Sequence, residues 1–400
     1  MSHKVAIKEN PRDSGRVRRL LHITTVPCSL AAFLPGQLRF MRSQGLDVHA
    51  LSSPGPELVS FGHLEEIPVH AVTMDRRITP LKDVLALIRL IALLRQIRPD
   101  ILHAHTPKGG LLSMIAGWLT GVPVRIYQVH GLPMATASWP RRELLRVTER
   151  ISCFLSHRVL CVSQSIWSDL VDAGLCSADR AKVLLGGSVN GLDSSVRFNP
   201  DRYVDRSSVR AKLGIPVDAL VVGFAGRIAR EKGIGELVEA WKMIRDEFPG
   251  AYLLVVGPPE PLDPIGSTTD SALRTDPRAV LTGMIFDMAP IYSAMDVLAL
   301  PTYREGLPTV LLEASAMALP IVASRVAGCV DIVEDGETGL LIDAKDVHGF
   351  AEALRTYLRN PDLRREHGCA ARTSIVRRFN QQAIWNAILD EYSHLLRERS

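Results

Sequence analysis

The stretch that decides the fold is Val297-Leu-Ala-Leu-Pro-Thr-Tyr-Arg-Glu-Gly-Leu-Pro-Thr-Val-Leu-Leu-Glu313. It begins with an apolar run that suits a buried strand, and it continues into a loop framed by Pro301 and Pro308. A helix is predicted to begin near Thr309. A strand, a loop and a helix in this order are half of a βαβ unit, the element from which parallel sheets are built.

The same alternation of strands and helices covers most of the chain. It runs from Leu20 to Ala173, pauses over residues 186–208, and resumes from Leu220 to Ile342. The pause is rich in Gly, Ser, Asn, Asp and Pro, which is typical of a linker. We therefore predict two doubly wound α/β domains of the Rossmann-like kind. Ligands bind such sheets at the carboxyl ends of the strands, and the expected site is a cleft between the two domains.

The length of 400 residues, of which 46% are hydrophobic, suits two ordered domains of similar size. The predicted order starts with a basic N-terminal extension over residues 1–18. An acceptor-binding domain over 19–195 and a nucleotide-sugar-binding domain over 196–375 follow. Residues 376–400 are predicted to form a helix that packs back toward the N-terminal domain.

Three local predictions are specific enough to be tested by the structure. Residues 34–43 are predicted to be helical, and residues 257–279, which contain five prolines, are predicted to be a loop. Residues 80–98 are predicted to form a long helix with an apolar face of period 3.6. That face consists of Leu81, Val84, Leu85, Ile88, Ile91 and Leu94.

The charge is unevenly distributed along the chain. Residues 1–200 contain 24 Lys and Arg against 15 Asp and Glu, so a net charge of +4 conceals a basic first half. A basic half favours an anionic neighbour such as a phosphate or a lipid surface, and a solvated basic face explains it almost as well. Nucleic acid is not expected as a partner, because there is no recognition motif.

Several features place the protein in the cytoplasm. The first 18 residues have no apolar segment of the kind a signal peptide needs, and no apolar run reaches the roughly 20 residues of a spanning helix. The six cysteines form no CxxC pair, which favours reduced thiols. A basic amphipathic helix over 141–155 has two interpretations: it lies on an anionic membrane at the inner face of the cell membrane, or it packs on its own sheet.

A first candidate ligand site is Phe224-Ala-Gly-Arg-Ile-Ala-Arg-Glu-Lys-Gly233. An apolar strand leads into a loop that holds Gly226, Arg227 and Lys232, and a helix follows directly. Backbone N–H groups, the helix dipole and two cations can converge there on a diphosphate and stabilise it as a leaving group. An ordinary charged surface loop is an equally good interpretation of this motif alone.

The second candidate is the opening stretch itself. Glu305 on the loop can accept hydrogen bonds from sugar hydroxyls, and Glu313 on the helix can bind a ribose diol. Between them, the segment Gly306-Leu307-Pro308-Thr309 offers backbone N–H groups near a helix start. The alternative is that Glu305 caps the helix and Glu313 is a solvated surface residue.

The N-terminal half contributes polar residues at the ends of two predicted strands. His130 ends one strand and is expected to contact the acceptor or the transferred sugar. His105 and Lys108 lie in a Gly-rich segment after another strand, which suits an anionic acceptor. A lone histidine is more often structural than catalytic. The NAD-binding GxGxxG, the P-loop, GxSxG and HExxH are absent from the sequence.

With these motifs in place, the chain resembles the retaining glycosyltransferases of family 4, which have the GT-B fold. The diagnostic segments are Gly226-Arg227 with Glu231-Lys232-Gly233, and Glu305-Gly-Leu-Pro-Thr309 with Glu313. Two further segments, 103–110 and 129–133, resemble the subgroup that builds bacterial capsule, exopolysaccharide, O-antigen and undecaprenyl-linked glycans.

This resemblance implies transfer of a hexose or N-acetylhexosamine, with retention of configuration, from a nucleotide-diphospho-sugar to a glycan or polyprenyl-diphosphate-linked acceptor. It implies that Arg227 and Lys232 bind the diphosphate, that Glu305 contacts the donor sugar and that Glu313 binds the ribose. His130 is implied to lie beside the transferred sugar. No cofactor and no metal are expected. A UDP-sugar is favoured over a GDP-sugar, although no residue near Gly257 or in 282–286 distinguishes the two bases.

The sequence departs from the family at one place. Many members carry a Gly-Gly pair in the first loop, whereas residues 26–34 contain no glycine. Two other functions fit the pattern. A nucleotide-sugar 2-epimerase with the same architecture would also bind a diphosphate but would need no acceptor. A catalytically inactive sugar-nucleotide-binding protein is disfavoured, because Arg227, Lys232, Glu305 and Glu313 are all present.

Overall fold

The computed structural model describes residues 16–399. It divides them into two compact units, which we call the N-terminal unit and the C-terminal unit. The N-terminal unit runs up to Gly191 and also includes the C-terminal helix from Gln381, and the C-terminal unit is Leu192–Asn380. The junctions therefore lie a few residues from the expected ones. Most of the predicted basic extension, residues 1–15, lies outside the described residues.

The N-terminal unit is built on a parallel sheet, in the order β3-β2-β1-β4-β5-β6-β7 over the described residues. Its strands are β1 (Arg19–Ile23), β2 (Asp47–Ser52), β3 (Val69–Ala71), β4 (Ile101–His105), β5 (Val124–Val129), β6 (Arg158–Cys161) and β7 (Ala181–Lys182). Its first seven helices are α1 (Pro27–Phe33), α2 (Gln37–Ser43), α3 (Pro56–Glu65), α4 (Pro80–Ile97), α5 (Pro107–Leu119), α6 (Arg141–Leu155) and α7 (Gln164–Asp172).

The C-terminal unit is built on a second parallel sheet, in the order β10-β9-β8-β11-β12-β13 over the described residues. Its strands are β8 (Leu220–Ala225), β9 (Ala251–Val256), β10 (Ala279–Gly283), β11 (Val297–Leu300), β12 (Ile321–Ser324) and β13 (Gly339–Ile342). Its helices are α8 (Arg206–Lys212), α9 (Ile234–Ile244), α10 (Ser267–Thr275), α11 (Ala289–Ser293), α12 (Thr309–Ala316), α13 (Val347–Arg359) and α14 (Pro361–Arg378). The final helix, α15 (Gln381–Arg399), belongs to the N-terminal unit.

The two parallel sheets confirm the predicted α/β fold class. Strands in such sheets are covered by helices on both faces, so they appear in the sequence as continuous apolar runs. The central strands show this directly, since Val221, Val222 and Phe224 of β8 and Leu298 of β11 are completely buried. These buried runs were the most dependable signal in the sequence.

The helix predicted over 34–43 is confirmed as α2, which begins three residues later because Gly36, with a φ of +78°, is its N-cap. Helices α1 and α3 were not predicted. The prediction that 257–279 is all loop was wrong, because α10 lies within it, between Pro264 and Pro277.

Most of the apolar face predicted for the helix over 80–98 is not buried. Leu81 is 89% exposed, and Val84, Leu85 and Ile88 are also exposed, whereas Leu94 is buried as predicted. The other buried residues of α4 are Ala86, Leu90 and Ile97. The helix is apolar on more than one side, so its periodicity did not reveal which side meets the sheet.

All six cysteines lie within the described residues, and none is in a disulfide. Four of them are buried, while Cys28 and Cys369 are exposed. The side-chain hydrogen bonds and ion pairs that define the candidate site do not involve these thiols.

Candidate functional site

Two loops of the C-terminal unit meet at the carboxyl edge of its sheet. One follows β8 and the other follows β11, and these strands are paired neighbours. Gly233 in the first loop has a φ of +71°, and a Cβ atom there would lie 1.9 Å from the backbone oxygen of Pro301 in the second loop. Glycine is therefore required at this position both by backbone conformation and by close packing. The two loops form one continuous surface.

Arg227 is held by two carboxylates. Its Nη2 donates to Glu231 Oε1 at 2.8 Å, and its Nη1 donates to Glu260 Oε2. Glu231 also accepts from Arg304 Nη2 at 2.9 Å, so it connects the loop after β8 to the loop after β11. Burial opposes ionisation of Glu231, but Arg304 and Arg227 together lower its pKa below the usual value. The guanidinium of Arg227 is therefore fixed in position by charged partners.

Lys232 and Glu305 form the second link between the loops. Lys232 Nζ lies 2.5 Å from Glu305 Oε1, and their side chains are only 16% and 11% exposed. A partly buried ion pair of this kind is oriented far more strictly than a surface pair. The alternative interpretation of Glu305 as a helix cap is wrong, because α12 begins at Thr309 with Pro308 at its N-cap. The structure thus brings the predicted cation and the predicted sugar-binding carboxylate into contact.

Glu313 lies on α12 behind this pair. Its Oε2 accepts a hydrogen bond from Tyr292 Oη at 2.8 Å. Burial raises the pKa of Glu313 to about 7, against smaller opposing effects of Tyr292 and Arg197. The interpretation of Glu313 as a solvated surface residue is therefore wrong. A carboxyl group in this setting has one oxygen committed to Tyr292 and capacity left for further hydroxyl donors.

The segment between the two glutamates packs tightly under the loop. Gly306 and Pro308 are buried, and Leu307 is half-buried. A Cβ atom on Gly328 would lie 2.5 Å from the backbone oxygen of Gly306, so two backbones approach closely here. Thr309 is exposed and opens α12. The N-terminus of a helix such as α12 favours an anion that reaches this edge of the sheet.

In the N-terminal unit, His130 follows β5 and is half-buried. Phe33 stacks on its ring with a centroid distance of 4.0 Å, and its Nε2 lies 3.1 Å from Nδ1 of His105. His105 is completely buried, so it does not form part of an exposed acceptor-binding rim as its sequence position suggested. His105 can affect a ligand through His130.

Lys108 is also less accessible than the sequence suggested. Its Nζ lies 2.8 Å from Asp83 Oδ1 on α4, and it donates to the backbone oxygen of Arg77. The two charged side chains are 14% and 19% exposed. Lys108 therefore fastens the start of α5 to the start of α4, and much of its charge is already balanced.

The segment that lacks the family's Gly-Gly pair is a helix. Pro27 opens α1, which ends at Phe33, the residue that stacks on His130. Proline at the first helical position and the absence of glycine both favour a helix over a loop. In this chain, the segment places an aromatic side chain beside His130.

Sequence reasoning missed the residues that orient the predicted ones. Glu260 and Arg304 contact the Arg227 cluster, and Tyr292 contacts Glu313. Glu231 was available as a signal, because it lies four residues after Arg227 in a motif already recognised. Glu260 and Tyr292 come from other loops of the fold, and nothing local marks them.

Comparison with known proteins identifies the family. Residues 219–360 match the family model described as glycosyl transferases group 1, and residues 31–187 match the glycosyl transferase 4-like domain. The two matches cover a large part of each unit. They define the chain as a glycosyltransferase.

Two curated relatives narrow the assignment to a family. The chain is 31% identical, over 95% of its length and 98% of the relative's, to the capsular polysaccharide biosynthesis glycosyltransferase CapM of Staphylococcus aureus. It is 30% identical, over 70% of its length and 72% of the relative's, to the UDP-Gal:α-D-GlcNAc-diphosphoundecaprenol α-1,3-galactosyltransferase of Escherichia coli. The chain belongs to glycosyltransferase family 4.

Solved structures show the same fold. The Anabaena protein Alr3699/HepE in complex with UDP and glucose aligns with a TM-score of 0.78 at 18% identity, over 94% of this chain and all of that one. Sucrose-phosphate synthase of Thermosynechococcus elongatus aligns with a TM-score of 0.76 at 21% identity, over 95% of this chain and all of that one. At these identities the likeness establishes the GT-B fold. None of the four proteins named here is a 2-epimerase.

Proposed function

We propose that this glycosyltransferase moves a hexose or N-acetylhexosamine from a UDP-sugar to a glycan or polyprenyl-diphosphate-linked acceptor, with retention of configuration, in cell-surface polysaccharide synthesis. The observation that carries the proposal is the contact between Lys232 and Glu305, which joins the loop that holds Arg227 to the loop that leads into α12 and Glu313. Ligands bind parallel sheets at this edge, which supports roles for the two cations in binding a diphosphate and for the two acidic residues in binding the sugar and the ribose.

The cations act on the leaving group. During transfer, the bond between the anomeric carbon and the diphosphate oxygen breaks, and its electron pair stays with the diphosphate. Arg227 and Lys232 stabilise that added negative charge, which is the reason we expect no requirement for a metal. Their carboxylate partners already fix the positions of both cations. The two side chains therefore need to move little when the negative charge develops.

The carboxyl groups orient the donor. Glu305 accepts hydrogen bonds from hydroxyls of the transferred sugar, and Glu313 accepts from the ribose diol. The acceptor hydroxyl forms the new bond to the anomeric carbon. When configuration is retained, the departing diphosphate oxygen lies on the same face of the sugar as the acceptor, and it takes up the hydroxyl proton. His130 of the N-terminal unit contacts the acceptor or the transferred sugar.

The UDP-sugar and the lipid-linked acceptor are supported by relatives. HepE has been crystallised with UDP-glucose, and the name of the Escherichia coli relative gives UDP-galactose as donor and a diphosphoundecaprenol-linked sugar as acceptor. We propose the same classes of donor and acceptor for this chain. The particular sugar depends on contacts that its own donor site makes.

A second part of the proposal is that the enzyme rests on the cytoplasmic face of a membrane. Within residues 16–399, no helix is long and apolar enough to cross a bilayer. Helix α6, however, buries polar residues and exposes apolar ones, which is the reverse of an ordinary surface helix. Its buried residues are Glu149, Ser152 and Cys153, whereas Val147 and Phe154 are 56% and 74% exposed. This arrangement favours the membrane interpretation of α6 over packing of its apolar residues on the sheet.

Helix α4 also exposes apolar side chains. Helix α5 packs against both α4 and α6, so the three helices are neighbours in the N-terminal unit. We call the exposed apolar residues of α4 and α6 the α4–α6 surface, which is Leu81, Val84, Leu85, Ile88, Leu144, Val147, Ile151 and Phe154.

Basic residues of α6 lie among the apolar side chains of the α4–α6 surface. Arg141, Arg142 and Arg150 of α6 are exposed among its apolar side chains. A groove of about 630 Å³ beside α6 is lined by Val147, Ile151 and Phe154 together with arginines. Apolar side chains with interspersed cations suit the boundary of an anionic bilayer. A lipid-linked acceptor would be presented at the same boundary.

The function is tested with a panel of nucleotide sugars. Thermal shift and calorimetry identify the donor, and transfer is then measured with synthetic polyprenyl-diphosphate sugars in the presence of EDTA. We expect a UDP-sugar to bind, consumption of donor to depend on acceptor, and the product anomer determined by NMR to match the donor. Interconversion of the donor without acceptor would instead establish an epimerase. Binding without any conversion across a broad acceptor panel would establish a binding protein.

A further inference from the structure

A third loop of the C-terminal unit reaches the candidate site. It follows β9, which pairs with β8 on the side away from β11, and we call its residues 257–263 the β9 loop. Gly257 opens the β9 loop with a φ of +143°, and a Cβ atom there would lie 1.8 Å from the backbone oxygen of Gly226. The β9 loop therefore runs directly against the loop that carries Arg227.

Backbone hydrogen bonds fasten the β9 loop to the loop after β8. The N–H of Ile228 donates to the oxygen of Pro258 at 2.8 Å, and the N–H of Glu260 donates to the oxygen of Ile228 at 3.1 Å. The N–H of Arg230 donates to the oxygen of Asp263 at 3.1 Å. Each of these bonds satisfies a backbone group that would otherwise need water or another partner. The contact between the two loops is therefore part of the fold, and it holds the side chains of the β9 loop at fixed places.

The carboxylate of Glu260 is buried behind the guanidinium of Arg227. Its side chain is 5% exposed, against 39% for Arg227. Oε2 of Glu260 accepts from Nη1 of Arg227, and Oε1 accepts from the backbone N–H of Leu262 at 3.2 Å. A buried carboxylate keeps its charge only where hydrogen bonds and a cation stabilise it, and Arg227 supplies that cation here. The carboxylate lies on the protein side of the guanidinium, and the exposed part of the guanidinium faces solvent.

Arg227 has hydrogen-bonding capacity beyond its two carboxylates. A guanidinium has five N–H donors in one plane. Nη1 donates to Glu260 and Nη2 donates to Glu231, while the side chain is still 39% exposed. A diphosphate can therefore bind Arg227 from the solvent side without displacing the buried Glu260. The single positive charge of Arg227 then lies between two anions.

The two carboxylates act on Arg227 to different extents. Glu231 also accepts from Nη2 of Arg304 at 2.9 Å, so a second cation balances its charge. Burial opposes the positive charge of Arg227, and the hydrogen bond with Glu260 is the largest of the effects that outweigh burial and raise the pKa of Arg227. Removing the charge of Glu260 would therefore strengthen the attraction of Arg227 for another anion.

We propose that Glu260 lowers the affinity of the site for a nucleoside diphosphate, so that this product of transfer is released and not retained by Arg227. Glu260 is a positioning residue in this scheme, because it acts on the ligand through Arg227 and does not touch it. This role rests on the diphosphate-binding function of Arg227 proposed above. It differs from the roles of Glu305 and Glu313, which accept hydrogen bonds from the donor.

The chemistry of transfer explains the use of a buried counter-charge. When the bond to the anomeric carbon breaks, the departing nucleoside diphosphate gains a negative charge that the donor did not have. Cations that stabilise this charge during the reaction also attract the finished product, and release of product limits the turnover of many enzymes. A fixed carboxylate behind one of the cations weakens that attraction while the cation stays in place.

The competing explanation is that Glu260 only holds Arg227 in position. Two variants separate the explanations. Glu260→Gln removes the charge and keeps an oxygen that accepts from Arg227, although it gives up the longer hydrogen bond from Leu262. Glu260→Ala removes the charge and the contact together. A role of the charge predicts tighter binding of a diphosphate in the glutamine variant, whereas positioning alone predicts unchanged or weaker binding there and weaker binding in the alanine variant.

The experiment measures the binding of UDP, inorganic pyrophosphate and uridine to the full-length protein, by calorimetry or by NMR titration where binding is weak. In Glu260→Gln we expect the Kd values for UDP and pyrophosphate to fall about tenfold, since a buried unit charge close to the ligand is removed. The Kd for uridine, which has no phosphate, should not change. Inhibition of transfer by added UDP should strengthen by the same factor. Unchanged or higher Kd values for UDP and pyrophosphate would overturn the proposal.

The matched control is Asp276→Asn. Asp276 is also a buried carboxylate of the C-terminal unit, with its side chain 5% exposed, and it accepts from Nη1 of Arg245 at 2.8 Å. It precedes β10 and so lies at the amino edge of the sheet, away from the candidate site. We expect this variant to leave the Kd for UDP unchanged. An equal tightening in the control would overturn the proposal, because the cause would then be the net charge of the protein.

The same measurements distinguish a failure of this role from a failure of the proposed function. If the wild type binds UDP and Glu260→Gln binds it no more tightly, the role of Glu260 is wrong and the proposed function stands. If neither protein binds UDP but pyrophosphate binds the variant more tightly, the proposed base is wrong and the role of Glu260 stands. If neither protein binds UDP or pyrophosphate, the diphosphate assignment of Arg227 and the role of Glu260 are both wrong.

Discussion

The two units carry opposite kinds of chemistry at the ends of their parallel strands. The C-terminal unit has charged side chains in contact, with Arg227 and Lys232 each held by carboxylates. The N-terminal unit has imidazoles made neutral by burial, joined from His105 to His130. Burying a charge requires a partner of opposite sign, whereas burying an imidazole requires only that its proton be lost. The contrast teaches that one unit keeps charged groups at its sheet edge by pairing them, whereas the other keeps polar groups in its interior by making them neutral.

The helices around the two sheets differ as well. In the C-terminal unit, α9 covers its sheet with buried apolar residues such as Leu237, Val238 and Trp241. In the N-terminal unit, α6 buries Glu149 and exposes apolar residues on the α4–α6 surface. Burial raises the pKa of Glu149 to about 7, and Tyr127 donates a hydrogen bond to it at 3.0 Å. One unit thus completes its core in the ordinary way, and the other leaves apolar area for something else to cover.

The largest expected effect comes from removing the two paired cations of the C-terminal unit. In Arg227→Ala combined with Lys232→Ala, we expect transfer to fall by about a thousandfold, because both cations that stabilise the leaving diphosphate are lost. Initial-rate kinetics and calorimetry with UDP measure the change. Lys242→Ala combined with Arg274→Ala removes two other cations of the same unit, each paired within its own helix, and should have little effect. Full transfer by the first variant would refute the diphosphate assignment.

A smaller effect separates the sugar contact from the diphosphate contact. In Glu305→Gln, we expect transfer to fall about a hundredfold while the affinity for UDP stays the same or rises, since UDP has no hexose and Lys232 loses its competing partner. The measurement compares the rate with the Kd for UDP. If Glu305 only positions Lys232, the affinity for UDP falls together with the rate.

The next effect concerns the titration of Glu313. Because its pKa is about 7, the carboxylate dominates at pH 8 and the neutral acid at pH 6. The carboxylate is the better acceptor for a ribose diol, so we expect UDP to bind up to about tenfold more tightly at pH 8 than at pH 6. UDP itself also titrates, and its titration affects both proteins equally. The measurement is therefore the ratio of the wild-type affinity to the Glu313→Gln affinity at each pH. A ratio that does not change with pH would contradict the ribose assignment.

The same titration has the opposite sign for stability. The pKa of Glu313 is higher in the folded protein than its usual value of 4.5, so the folded state binds the proton more tightly. The corresponding stability is fully present below about pH 4.5 and is lost as the pH rises through about 7. Denaturant unfolding of the ligand-free protein should therefore show a loss over this window that is reduced in Glu313→Gln.

The smallest effect tests the α4–α6 surface. In Val84→Ser combined with Val147→Ser, we expect binding to phosphatidylglycerol vesicles at low salt to fall about fivefold, as two partly inserted side chains lose apolar contact. Val204→Ser combined with Val217→Ser is the control, since these valines are 83% and 62% exposed in the C-terminal unit. Failure of the wild-type protein to sediment with the vesicles would end the membrane proposal.

The charged residues of the candidate site in the C-terminal unit could largely be predicted from the sequence. Arg227, Lys232, Glu305 and Glu313 were all found from strand–loop–helix patterns, because each lies within a few residues of a buried strand that locates it. The structure brings Lys232 and Glu305 together and buries Glu313 against Tyr292. Their roles in catalysis remain predictions.

The buried histidines of the N-terminal unit were mostly not predicted from the sequence. His105 was placed on an accessible rim together with His103, whereas both are completely buried, and His22 attracted no role. Nδ1 of His103 lies 2.6 Å from the hydroxyl of Tyr392, which is 289 residues away, so no local pattern connects them. Side chains that interact through a shared sheet and a returning helix cannot be recognised from spacing along the chain.

By itself, the sequence determined two parallel α/β sheets, the loops that carry Arg227 and Glu305, and the helix that carries Glu313, because continuous apolar runs and glycines act over short distances. Tertiary structure decided which carboxylate pairs with which cation, which buried histidines are neighbours and the orientation of α6. The physical reason is that a periodic pattern shows which residues share a side of a helix or strand. Whether that side is covered, and by which partner, depends on elements far away in the sequence.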